Sequence, residues 1–269
     1  MLKFLTKVIT KIKSTYKNYV IINSKKYSKK LDEQKVIFEL SPSKTHRNET
    51  YYYFHHYFWN LSPLWLKEHR EYFSKEQRAF GEDAFHAMWY FIFKEFKPKK
   101  VLEIGVYRGS TLSLFSLLSK KFNLDSEIHG ISPFSPAGDS VSNYLKELDY
   151  YEDVKSNFAY FNLPAPILHK GFSTDRDMIE LIHTNEWDLI FIDGNHDYEV
   201  AKHDFNICSQ NIRKGGLIIL DDASLYTDYK PPFYSTAGHP GPSKVASEID
   251  FKIFEEILSV GHNRVFRKM

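Results

Sequence analysis

The chain has 269 residues, 42% hydrophobic and 16% aromatic, enough for one large domain with an extension and a substantial core. A formal net charge of +2 is too small to point to nucleic acid, and the single cysteine, Cys208, excludes an intramolecular disulfide framework and any multi-cysteine metal site. No apolar run approaches the roughly 20 residues that span a bilayer and no cleavable leader pattern is evident, so a protein of the reducing cytoplasm is expected.

Residues 1–35 carry ten lysines against Asp32 and Glu33, with Leu2, Leu5, Ile9, Ile12, Tyr16 and Tyr19 at helical spacing. A basic amphipathic helix is expected, either solvated and packed on its own domain or, as the less favoured reading, peripheral at an anionic membrane or docked on a partner enzyme. Residues 51–73 are dense in aromatics, from Tyr51 through Trp59 and Trp65 to Tyr72; gluing the extension to the main domain is preferred over roofing a ring-shaped substrate. A helix follows, with Phe85, Met88, Trp89, Ile92 and Phe96 on one face, Glu82 and Asp83 at its start and Pro98 beyond its end. The extension is placed at residues 1–80 and the main domain at 81–269.

Lys100-Val-Leu-Glu103-Ile-Gly105 reads as a strand, and Val106-Tyr107-Arg108-Gly109-Ser110-Thr111 as a turn into the apolar helix Leu112 to Leu118. Such a strand–turn–helix unit forms a cradle where backbone approaches a ligand closely. A dinucleotide fingerprint would need glycine at Tyr107, which weakens a nicotinamide reading. A second strand is expected over Glu127–Ile131, opening into the Pro/Gly loop Ser132–Asp139. A third is Ile167–Lys170, followed by Gly171-Phe172-Ser173, where Ser173 could equally cap a helix over Thr174–His183.

Trp187-Asp-Leu-Ile-Phe-Ile192 is a continuous apolar run, the signature of a strand buried on both faces, and it breaks into Asp193-Gly-Asn-His196-Asp-Tyr198. Gly215–Leu220 does the same and breaks into Asp221-Asp222. Two neighbouring strands delivering acids to one rim make an oxygen-rich pocket suited to a hard cation, at the edge where open α/β sheets carry their chemistry. Between them a helix should bury Tyr198, Ala201, Phe205, Cys208 and Ile212, making Cys208 a core residue. Residues 223–243 lack a helix or strand pattern and read as a lid or substrate loop, with His239 a weak candidate for substrate contact. A helix near Lys244–Glu256 and apolar closing strands through Val260 and Val265 complete the chain.

Residues 81–269 resemble the class I S-adenosylmethionine-dependent methyltransferases through Glu103-x-Gly105-x-x-x-Gly109. They are most similar to the divalent-metal-dependent small-molecule O-methyltransferases of the catechol and macrolide-sugar type, through Ile192-Asp-Gly-Asn-His-Asp-Tyr198 and Asp221-Asp222. The resemblance implies an α/β, Rossmann-like class I sheet, mostly parallel with the last strand antiparallel, plus a helical N-terminal extension. It implies S-adenosylmethionine contacts at Glu103, Gly105, Tyr107, Gly109, Thr111, Ser132, Ser173 and Asp193, and Mg2+ or Mn2+ at Asp193, Asp221 and Asp222. His196 is implied as catalytic base. The family's ribose-gripping acid is replaced here by Ser132, so Asp139 or loop backbone is expected to take over that contact.

The chemistry is consistent with that set. An alcohol is a poor acid, so methyl transfer to oxygen needs the nucleophile aligned and stripped of its proton. A divalent ion lowers the pKa of a coordinated hydroxyl, and a neutral histidine can accept the proton. The expected acceptor is a hydroxylated small molecule, a sugar or glycan precursor by resemblance, and the oligomeric state stays open, a homo-oligomer included. The alternatives are a metal-independent methyltransferase and a non-catalytic cofactor-binding module. Asp193 and Asp222 also have the plainer reading of helix caps.

Overall fold

A computed structural model describes residues 47–139 and 144–269. The basic helix expected over residues 1–35 lies outside the described residues. Two helices, α1 (Arg47–Asn60) and α2 (Leu64–Phe73), precede α3 (Asp83–Phe96). Alternation then begins: β1 (Lys100–Ile104), α4 (Ser110–Phe122), β2 (Glu127–Ser132), α5 (Tyr150–Tyr160), β3 (Ile167–Lys170), α6 (Arg176–His183), β4 (Trp187–Ile192), α7 (Tyr198–Asn211) and β5 (Ile212–Leu220). The chain closes with α8 (Pro240–Ser247), β6 (Phe254–Val260) and β7 (Asn263–Lys268).

The strands form one sheet in the order β3-β2-β1-β4-β5-β7-β6. Pairings from β3 to β5 are all parallel, and β7 runs antiparallel to both β5 and β6. The mostly parallel sheet with an antiparallel last strand is therefore as expected. Strands β1 and β4 and the Gly216–Leu220 part of β5 are buried on both faces because helices cover the sheet on each side. The chain order reverses between β1 and β4, and that switch point opens a crevice at their carboxyl ends.

Helix α3 shows how the extension joins the sheet. Its buried face includes Phe85, Met88, Trp89 and Ile92, and Trp89 meets Phe115 of α4 edge-on at 4.6 Å and Phe191 of β4 at 5.0 Å. Lys97 stops the helix in the left-handed conformation, ahead of Pro98. Tyr51, Phe54 and Phe58 of α1 are buried in the same core as α3, so the aromatic cluster does glue these helices to the domain.

Two expectations fail at the C-terminal end. Helix α8 starts at Pro240, inside the segment expected to be irregular, because prolines in a first turn need no backbone N–H. It ends at Ser247 instead of reaching Glu256, since the Asp250 carboxylate accepts from the Lys252 amide at 2.8 Å and turns the chain into β6. Smaller shifts also occur. Ile212 opens β5 rather than closing α7, Tyr198 is only half-buried, and Asp175 rather than Ser173 stands at the N-cap of α6. Cys208 lies in the core as expected. Among the described residues no helix is long and apolar enough to cross a membrane.

Candidate active site

The rim is built by backbone first. Gly105 has φ +98°, and a Cβ there would lie 2.0 Å from the Asp193 carbonyl oxygen, so the turn after β1 can close against the end of β4 only with glycine. The Asp193 amide donates to the Ile104 carbonyl at 2.8 Å and the Asp221 amide to the Ile192 carbonyl at 3.0 Å, extending the strand ladder to the rim. Asp193, His196, Asp221 and Asp222 thereby line one cleft together with Ala201 and Pro242. Asp222 is held with φ +51°, an uncommon conformation for a residue with a side chain. Its carbonyl accepts from the His239 amide at 2.9 Å and the Ser243 hydroxyl at 3.0 Å, and Gly238 passes so close that a Cβ would sit 2.1 Å from that same oxygen.

His196 sits between two carboxylates. Its Nδ1 is 2.5 Å from Asp139 Oδ2 and its Nε2 is 2.9 Å from Asp222 Oδ2, while its backbone amide also donates to Asp139 at 2.9 Å. Burial alone would lower the pKa of the imidazole, but the hydrogen bonds to Asp222 and Asp139 outweigh it and push it up to about 9. Asp139 is thus engaged with the imidazole, and its expected role on a ribose is not what this arrangement provides. His239 joins the cluster, its ring 4.2 Å from that of His196 and its Nε2 3.7 Å from Asp222 Oδ2.

On the other side of Asp222 lies a residue that sequence reasoning missed. His262, in the β6–β7 turn, brings Nε2 to 3.3 Å from Asp221 Oδ1, and its Nδ1 is 3.9 Å from Asp222 Oδ1. Burial drives the Asp193 carboxyl upward, reinforced by Asp221, Asp222 and Glu103; burial likewise raises Asp221. Glu103, 3% exposed at the end of β1, is pushed up to about 8 by burial and by the Asp221 charge. Its Oε2, like Asp221 Oδ1, is buried with no hydrogen-bond partner. Carboxylates gathered in this way, with orphaned oxygens, fit a bound cation. Asp222 belongs to both clusters of the described residues whose atoms converge as metal ligands do, one with His196 and His239 and one with Asp221 and His262.

The remaining expected cofactor residues separate into two groups. Gly109 caps α4 with φ +76°, and Ser110 and Thr111 open that helix, leaving its first amides toward the crevice. Tyr107 packs among Phe80, Tyr144 and Tyr150. Ser132 donates its hydroxyl to the Val106 carbonyl at 2.9 Å, a contact that ties β2 to the turn after β1. Ser173 is buried beside Asp204 of α7.

Asp204 itself is 1% exposed and neither carboxylate oxygen has a hydrogen-bond partner. Burial raises its pKa to about 6, against about 3.9 for an unfolded aspartate. The folded state therefore holds a proton that the unfolded state releases, so stability falls as pH rises from about 4 through about 6. Asp204→Asn should raise the melting temperature at pH 7.5, by the equivalent of up to ~3 kcal/mol, with the gain vanishing near pH 4. An equal gain at both pH values would show that ionisation is not the cause.

A family model described as a methyltransferase domain matches residues 102–223, the span from β1 to just past the two rim acids of β5. Over that span the chain is similar to methyltransferase domains. Its fold matches the SAH-bound methyltransferase PaMTH1 of Podospora anserina, with a TM-score of 0.55 and 17% identity over 77% of this chain and 89% of that one. It also matches a putative caffeoyl-CoA O-methyltransferase of Staphylococcus aureus, with a TM-score of 0.56 and 16% identity over 82% of this chain and all of the other. An uncharacterized protein of Acanthamoeba polyphaga mimivirus is 32% identical over 152 residues, which is 55% of this chain and 59% of that protein's length. The rim residues from Glu103 to Asp222 lie entirely within the matched span, whereas His239 and His262 fall outside it.

Proposed function

We propose that the protein is an S-adenosylmethionine-dependent O-methyltransferase that uses a divalent cation at Asp193, Asp221 and Asp222, with His196 as general base. The observation that carries the reading is the convergence of these four side chains on one cleft beside the switch-point crevice. The turn after β1 and the N-terminus of α4 offer backbone to the methyl donor. A bound cation would hold the acceptor oxygen in place and lower its pKa.

The protein's own residues do the rest. With Asp222 on Nε2, His196 has a proton to give rather than take. Were Asp222 to serve as a cation ligand, Nε2 would be free to face the acceptor, and Asp139, bonded to Nδ1 and to the backbone amide, would hold ring orientation and tautomer. The acceptor would enter beneath residues 223–239, whose Tyr226 and Phe233 are 59% and 66% exposed. Aromatic faces of this kind stack on ring-shaped acceptors, in keeping with a hydroxylated sugar or glycan precursor.

Calorimetry with S-adenosylmethionine and NADH, followed by methyl transfer from labelled donor to a panel of hydroxylated acceptors, tests the reading. Binding of the sulfonium donor alone is expected. Turnover should disappear on chelation and return with Mg2+ or Mn2+. Preference for the nicotinamide would refute the methyltransferase reading, and activity indifferent to chelation would move the assignment to a metal-independent transfer.

A further inference from the structure

His262 is 8% exposed, with its ring edge-on to Phe85 at 4.7 Å. Its Nδ1 lies 3.2 Å from the Thr236 carbonyl oxygen. A carbonyl only accepts, so Nδ1 carries the proton and the lone pair of the neutral ring sits on Nε2. That nitrogen faces Asp221 Oδ1 at 3.3 Å, yet the two are not aligned as a hydrogen bond, and Oδ1 is buried without a partner. A nitrogen that carries a lone pair in the neutral ring thus stands beside a carboxylate oxygen with no hydrogen-bond partner.

Such an arrangement is what a ligating histidine needs. Its second ring nitrogen is anchored on a backbone carbonyl, which fixes the tautomer and aims the lone pair. Neighbouring ligands on an octahedral ion with bonds of about 2.1 Å stand about 3 Å apart, close to the observed nitrogen–oxygen separation. One ligand atom each from Asp221, Asp222 and His262 lie within 4.8 Å of one another. Independently, Glu103 Oε2 is buried and unpartnered in the same acidic group, as expected where a positive charge completes the balance.

We propose that His262 is a ligand of the cation held by Asp221 and Asp222, and that its nitrogen selects a first-row transition ion over magnesium. This rests on the metal-dependent reading of the site and deepens it. Magnesium favours all-oxygen ligation, whereas one imidazole in place of an oxygen raises affinity for Mn2+ and, further along the series, Fe2+ and Co2+. The location also matters, because the nitrogen comes from the hairpin that closes the sheet, and its partner Thr236 belongs to the loop over the site.

The test uses the full chain with Mn2+ as probe. Electron spin-echo envelope modulation should show nitrogen coupling to bound Mn2+, with the pattern changed by selective 15N-histidine labelling of the unmodified protein. The coupling should vanish in His262→Gln and persist in His196→Gln and in His239→Gln. Competition should show Mn2+ bound at least about tenfold more tightly than Mg2+, with that ratio reduced in His262→Gln. Circular dichroism of each variant checks that it is folded, and the labelled wild-type spectrum needs no variant at all. Bound Mn2+ without nitrogen coupling, coupling that survives in folded His262→Gln, or equal affinity for the two ions would overturn the proposal while leaving the metal-dependent reading standing. Failure of the unmodified chain to bind either ion would overturn both.

Discussion

Replacing His196 with alanine is expected to lower turnover by roughly 100- to 10,000-fold, the usual contribution of a positioned general base, with donor affinity nearly unchanged. The asymmetry follows from the architecture. His196 contacts Asp139 and Asp222, whereas the proposed donor cradle is the turn and helix start between Gly105 and Thr111. A loss confined to kcat on a preserved donor dissociation constant is therefore the expected signature. Asp139→Asn gives a second measure. It keeps a group near Nδ1 but removes the charge, so it should slow turnover less than His196→Ala and shift the pH–rate profile. If His196→Ala turns over at the normal rate, proton removal lies elsewhere, and His239, 4.2 Å away ring to ring, becomes the next residue to replace.

The largest stability effect is expected from Glu256→Ala. The Glu256 side chain is buried and bound by two guanidinium groups: Arg47 Nη1 reaches Oε1 at 2.7 Å, and Arg264 Nη2 reaches Oε2 at 2.7 Å with its Nε 3.1 Å from Oε1. Burial alone would raise the carboxyl pKa, but hydrogen bonds from Arg264 and Arg47 hold it below the usual range. Removing the carboxylate leaves two buried cations facing each other, which costs about 3–5 kcal/mol for one broken buried pair. Urea denaturation should show that loss in the midpoint. Because the folded pKa is depressed, the stabilisation is present above the unfolded value of about 4.3 and is lost as pH falls through the folded one. Denaturation curves for wild type and Glu256→Ala should accordingly converge in acid. Unchanged stability at neutral pH would mean that the two arginines find other partners.

What could be read from the sequence follows a physical boundary. Strands β4 and β5 were legible because apolar runs buried on both faces end abruptly in charge, and that places Asp193, Asp221 and Asp222 at one rim without any knowledge of distant contacts. The helix expected over Lys244–Glu256 was misread for an equally physical reason. Ala246, Ile249, Ile253 and Ile257 fall at helical spacing, although Asp250 turns the chain between them and Ile257 belongs to β6. His262 was invisible because its value depends on the antiparallel pairing of β7 with β5, a contact between residues far apart in sequence. The only local trace was Gly261-His262-Asn263 between two apolar runs, which says hairpin turn and nothing about what the turn delivers. The contact of Asp139 with His196 was not legible, since the spacing between a loop and a distant histidine carries no signal.

Helix α1 reaches across to the loop over the site. Asn48 accepts from the Lys230 amide at 3.0 Å and donates to its carbonyl at 2.5 Å, while Tyr51 and Ser235 share the carboxylate of Glu82. A chimera that transplants only the Rossmann-like half onto a foreign leader would therefore inherit the acids without the brace that shapes the entrance above them. Swapping acceptor preference between relatives by exchanging loops calls for moving the matching helical segment in the same graft.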